Sequence, residues 1–222
     1  MTLGQAEEER NGTRFDPALM LQTRERTRAV MQEVAALIVP GMLEEDAVAL
    51  MRRTLKGQDM LRGWHGIHVR FGRNTLENYD HPSEPGMILG ANDIFFVDIG
   101  PVWQGHEGDA GATFVVGDDH EMHKAAHDVK LVFDATHARW REDGLTGPEL
   151  YRFARREAER LGWVLNLDMA GHRLSDFPHA VKHDGPLLDA DYVPSDGLWV
   201  LEIQIRHPVR PFGAFYEDLL LQ

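Results

Sequence analysis

A chain of 222 residues with 43% hydrophobic content can bury one sizeable core and is too apolar to be disordered. Its formal charge of −13 argues against a nucleic-acid surface, which needs a basic stripe, and is unfavourable at anionic membranes. Cysteine is absent, which excludes disulfides and thiolate metal ligands, and no signal-like or membrane-spanning apolar run is found, so a cytoplasmic protein is expected.

In chain order, residues 1–15 are polar and read as a loose N-terminal arm, ahead of a single domain over 16–222 with no separate N-terminal domain. Met20, Thr27, Met31, Val34 and Ile38 recur on one face and predict a helix from Pro17 to Ile38, stopped by Pro40-Gly41. A second helix is predicted over Glu44 to Leu55, with Ala47, Leu50, Met51 and Leu55 inward. Ile67 to Phe71 alternates like a half-exposed strand, broken by Gly72-Arg73-Asn74-Thr75. His81 follows in the loop Asn78 to Pro82, with His65 and His68 earlier as secondary candidates for a site.

The apolar run Ile94 to Val97 predicts a buried strand that ends on a carboxylate, Asp98. A loop punctuated by Gly100, Pro101, Gly105 and Gly108 turns the chain, and a second carboxylate, Asp109, opens the return strand over Ala112 to Val116. Two carboxylates brought together across one hairpin repel each other unless a cation lies between them, and burying either one unpaired is costly. The pair therefore reads as a cation site for hard oxygen ligands, the alternative being that both acids cap strand ends and face water.

Two helices are predicted next, one marked by Met122, Ala126, Val129, Phe133, Thr136 and Trp140, the other by Leu150, Ala154 and Leu161 after Thr146-Gly147-Pro148. His123, His127 and His137 fall on the first and read as surface residues, because a helical histidine pair carries little metal specificity without a third ligand. Gly171-His172 and His179 lie in a turn-rich stretch. Leu198 to Arg206 is a strong strand in which period two puts Val200, Glu202, Gln204 and Arg206 on one face and Trp199, Leu201, Ile203 and Ile205 on the other. A glutamate placed that way looks toward a site. Gly213 to Leu221 predicts the last strand, carrying Glu217 and Asp218.

The Asp98-x-Gly100 hairpin, the second acid Asp109 before Thr113-Phe114, the Gly171-His172 turn, Glu202 and the closing Glu217-Asp218 together resemble the creatinase and methionine-aminopeptidase superfamily. The resemblance spans about Met20 to Leu221. It implies an α+β "pita-bread" fold, a curved antiparallel sheet covered by helices, with a dinuclear metal site on the sheet. It also implies five ligands in the order Asp98, Asp109, His172, Glu202 and Glu217 for two divalent ions, for which oxygen donors and one imidazole suit Mn, Co, Fe or Zn. Under the same resemblance Glu202 accepts the nucleophile's proton, and His81 and His179 act on the scissile amide.

The sequence departs from the family pattern at Arg173, Ser175 and Ala180, has Ile203 after Glu202, and lacks an arginine shortly before Glu217. The expected activity is hydrolysis of an amide bond in a short peptide, as in proline-specific aminopeptidases and prolidases. One alternative is a creatinase-like enzyme, a C–N hydrolase or lyase acting on a small carboxylate that pairs with Arg173 and Arg206; another is an inactive binding module. The expected partners are the substrate and, as an open option, a second copy of the chain.

Overall fold

A computed structural model describes residues 3–62, 64–178 and 185–222. It opens with α1 (Leu3–Glu8), α2 (Pro17–Ala35) and α3 (Glu44–Gly57). Asp16 caps α2 by accepting from the Ala18 N–H, and Pro17 occupies the first turn, where its missing donor costs nothing. The helix ends three residues before the predicted Ile38, in short-range turns from Leu37 to Val34 and from Ile38 to Ala35 that precede Pro40. Glu44 starts α3 and is itself buried, its carboxylate accepting from the Phe71 N–H at 2.5 Å and from Asn74 Nδ2 at 3.0 Å. That contact ties α3 to the end of β1 (Ile67–Phe71) and to the short 3-10 turn Gly72–Leu76.

The remaining strands are β2 (Asp93–Ile99), β3 (Val102–Trp103), β4 (His106–Glu107), β5 (Ala110–Val116), β6 (Val164–Asn166), β7 (His172–Arg173), β8 (Trp199–Arg206) and β9 (Gly213–Leu219). Between β5 and β6 run α4 (His120–Asp143), capped by Asp119, and α5 (Gly147–Leu161), opened by a Thr146/Glu149 capping box. An antiparallel sheet runs β1-β2-β5-β9-β8-β6, with β7 also on the outer edge of β8. Leu201, Ile203 and Ile205 of β8 share one core with Val129 and Phe133 of α4 and Leu150 and Ala154 of α5. The other face of β8 carries Val200, Glu202 and Gln204, as the period-two reading predicts. This is the expected α+β pita-bread arrangement.

Residues 3–15 are not the loose arm that their polarity suggests. Glu9 is buried, accepting from Trp199 Nε1 at 2.8 Å and from the Ser195 N–H at 2.9 Å. Polarity misled here because one carboxylate of the segment, Glu9, is satisfied inside the fold and not by water.

Candidate metal centre

The site follows from strand register. Asp98 of β2 stands opposite Gly111 of β5, Gly111 opposite Glu217 of β9, and Glu217 opposite Glu202 of β8. Residues paired directly across antiparallel strands share a face, so one row crosses four strands as acid, glycine, acid, acid. Asp109 lies two residues before Gly111, and His172 of β7 stands opposite Val200, two residues before Glu202; both fall on the same face. Gly111 makes the row a hollow. A Cβ at that position would lie 2.8 Å from Glu217 Oε1 and 2.4 Å from the Phe215 ring.

All four carboxylates are buried. Asp98 Oδ1, Asp109 Oδ1 and Glu217 Oε1 have no hydrogen-bond partner among the described residues, and Asp109 Oδ2 meets the His172 imidazole. His172 Nε2 lies 2.7 Å from Asp109 Oδ2 and 3.4 Å from Glu202 Oε1. Three overlapping trios of donor atoms each fit within 4.8 Å: Asp98, Asp109 and Glu217; His172, Glu202 and Glu217; and His65, Asp109 and His172. Glu217 belongs to the first two.

Electrostatics report the same crowding. Burial raises Asp98 to about 6 and Glu202 to about 7, and it holds Glu217 well above the carboxylate range. Burial works against the charge on His172, yet the Asp109 carboxylate outweighs it and raises the imidazole to about 10. Orphaned buried oxygens of this kind, with one imidazole among them, are what hard or borderline divalent cations bind. The donor set fits such ions.

The description "Metallopeptidase family M24" matches residues 18–221. The chain belongs to the M24 metallopeptidase family. No curated protein matches it. Among solved M24-like folds, a prolidase from Pyrococcus horikoshii OT3 superposes with a TM-score of 0.72 at 17% identity, over 97% of this chain and 61% of that one. A methionine aminopeptidase from Thermotoga maritima gives 0.68 at 18% identity, over 100% of this chain and 98% of that one. An X-Pro aminopeptidase from Thermotoga maritima gives 0.68 at 18%, over 100% and 62%. The chain thus spans about three fifths of that prolidase and nearly all of the methionine aminopeptidase.

Within this M24 fold the structure brings Asp98, Asp109, His172, Glu202 and Glu217 together, and it redistributes the other residues singled out in the sequence. His81 is exposed and lines a neighbouring cavity of about 550 Å³, not the one over the carboxylate row. The histidines at the row are His65, whose Nε2 lies 3.5 Å from Asp98 Oδ1, and His68, opposite Asp98 on β1. Burial lowers His68 to about 4; for His65 burial is outweighed by Asp98, and its pKa is raised. Gly100, the glycine of the hairpin motif, is what lets His65 in, since a Cβ there would lie 2.5 Å from the His65 side chain. Spacing along the chain could not show this, because His65 reaches Asp98 across the sheet edge while His81 is carried off by the turn after β1. His179 lies outside the described residues.

Arg173 is engaged within the fold. It borders the cavity, but its Nη2 donates to the Glu9 carbonyl at 2.8 Å and to Asn11 Oδ1 at 2.6 Å. It alternates with His172 along β7, and its guanidinium anchors the N-terminal segment. Arg206 sits at the far end of β8 and donates to the Leu76 carbonyl at 2.6 Å. The cavity over the row, about 600 Å³, is bordered also by Trp64, His65, His68, Tyr79, Asp168 and Met169.

Proposed function

We propose that the protein is a dinuclear metal-dependent hydrolase that cleaves an amide bond in a short peptide. The observation that carries this reading is the buried row of Asp98, Glu217 and Glu202 with Asp109 and His172 beside it, residues that would hold divalent cations. Membership of the M24 family and the likeness to prolidase and aminopeptidase folds support it. Cations held there supply Lewis acidity to an amide carbonyl and acidify water toward neutral pH.

The chain's own residues do the rest. Glu202 lines the cavity beside His172, where its carboxylate is placed to take and return a proton. His65 and His68 flank the same cavity, placed to hold the amide as its geometry changes. Asp168, exposed at the cavity mouth, offers a carboxylate to a substrate's free amino group, whereas Arg173 is already engaged. This favours a peptide with a free amino terminus over a small acid.

The test is a panel of dipeptides, Xaa-Pro among them, beside small amidino and carboxylate compounds, assayed with Mn(II) or Co(II) added. Dipeptide hydrolysis that needs the metal and is lost in Glu202→Gln is expected. Turnover confined to the non-peptide compounds would overturn the peptidase reading.

A further inference from the structure

We propose that Tyr151 is the positioning residue that holds Glu202 in the row. β9 runs along one edge of β8, but the other edge is shared by two short strands. β6 pairs with β8 as far as Asn166 opposite Gln204, and β7 resumes with His172 opposite Val200. Between those pairs the chain from Leu167 to Gly171 leaves the ladder and forms one wall of the cavity. The residue of β8 that faces this break is Glu202. The opening that makes room for a substrate therefore removes a strand partner from a residue of the site.

A buried peptide group without a ladder partner is costly unless something else satisfies it. The Tyr151 hydroxyl does so in both directions. It donates to the Glu202 carbonyl at 3.1 Å and accepts from the Glu202 N–H at 3.4 Å. Tyr151 projects from α5 and is 1% exposed, its ring fixed in the main core. Burial keeps the phenol well above its ordinary pKa, so it remains a neutral donor and acceptor. The end of the break contributes too, because the Gly171 N–H hydrogen-bonds the Glu202 carboxylate. Tyr151 thus stands in for the missing strand. It fixes the peptide of Glu202, and through it the direction of the carboxylate, without touching substrate.

This inference rests on the metal reading above, and the experiment separates the two. The full chain is titrated with Co(II), followed by calorimetry and visible absorption. Wild type takes up two ions; uptake of none would sink the metal reading itself. Tyr151→Phe keeps the ring and removes the hydroxyl. Loss of a group that orients a ligand commonly weakens metal binding at least about 10-fold. The expected result is about that loss at one of the two Co(II) steps, a changed visible spectrum, and a fall in kcat with KM nearly unchanged.

Trp140→Phe is the comparison, because it removes another buried hydrogen bond, from Trp140 Nε1 to the Pro194 carbonyl at 2.8 Å, on α4. It should lower stability and leave both Co(II) steps intact. If Tyr151→Phe behaves as Trp140→Phe does, Tyr151 is a packing residue and the proposal fails. Should Tyr151→Phe not fold, 3-fluorotyrosine at position 151 preserves size and hydroxyl. Its fluorine resonance must then shift when Zn(II) is added, and an unmoved resonance overturns the assignment.

Discussion

Glu202 and Glu217 stand directly opposite each other on β8 and β9, two buried carboxylates in one register position. Like charges placed so are destabilising, and the sheet tolerates them only if a proton or a cation intervenes. The residue after Glu217 has the reverse fate. Asp218 turns to the other face and accepts from Arg24 Nε at 2.5 Å and Arg28 Nη1 at 3.0 Å. Consecutive acids therefore have separable roles. Glu217→Gln should abolish two-metal binding by elemental analysis while apo-protein stability stays near wild type. Asp218→Asn should keep both metals and lose about 2 kcal/mol in denaturant unfolding, less than the roughly 3–5 kcal/mol of a fully buried pair because both arginines are a quarter exposed. Swapped outcomes would mean the faces of β9 are misassigned.

The hollow at Gly111 gives a second expectation. Gly111→Ala puts a methyl group against Glu217 Oε1 and the Phe215 ring. Overpacking of this kind costs about 1–3 kcal/mol. The variant should be destabilised by that amount and should bind fewer than two Co(II) ions in calorimetry. Full stoichiometry with unchanged stability would show that the row has room to spare.

The histidines give a third. His65 approaches Asp98, whereas His81 is exposed over the neighbouring cavity. His65→Ala should lose activity by at least about 100-fold, the scale of a general acid–base or positioning group, and His81→Ala should stay within a few-fold of wild type. Steady-state kinetics on the best dipeptide decides between them. Equal losses would restore His81 to the site.

A fourth concerns pH and lies away from the row. Asp119 caps α4 and pairs with Arg210 Nη2 at 2.7 Å, and that arginine lowers its carboxyl to about 2. A depressed carboxylate contributes stability that is present above its unfolded pKa and is lost as pH falls through the folded one. Asp119→Asn keeps the helix cap but not the charge. It should be less stable than wild type by up to about 1 kcal/mol at pH 6 in low salt, the range for a partly exposed pair. The gap should close between about pH 4 and pH 2, measured by urea unfolding. A gap that ignores pH would assign the stabilisation to the cap alone.

The sequence by itself determined the five long strands and the helices from Pro17 onward, and its resemblance to a family picked out the five residues that converge, while α1 and the short strands β3, β4, β6 and β7 went unread. Carboxylates at strand ends and inside an otherwise apolar strand, as at Asp98 and Glu202, contradict their surroundings, and that contradiction is visible in one dimension. Helix limits were legible for the same reason: Pro17, the Thr146-Gly147-Pro148 start and the glycines after helix ends act on their immediate neighbours. What only the tertiary structure decided concerns residues whose partners are distant in sequence. Arg173 looked free because its acceptors, the Glu9 carbonyl and Asn11, lie more than 160 positions away in a segment that appeared loose. His65 displaces His81 because the sheet edge, not chain spacing, sets which imidazole reaches Asp98. Tyr151 gave no signal at all, since on its helix it reads as one more apolar core position. Its hydroxyl acquires a task only where β6 and β7 part and Glu202 is left without a strand on that edge.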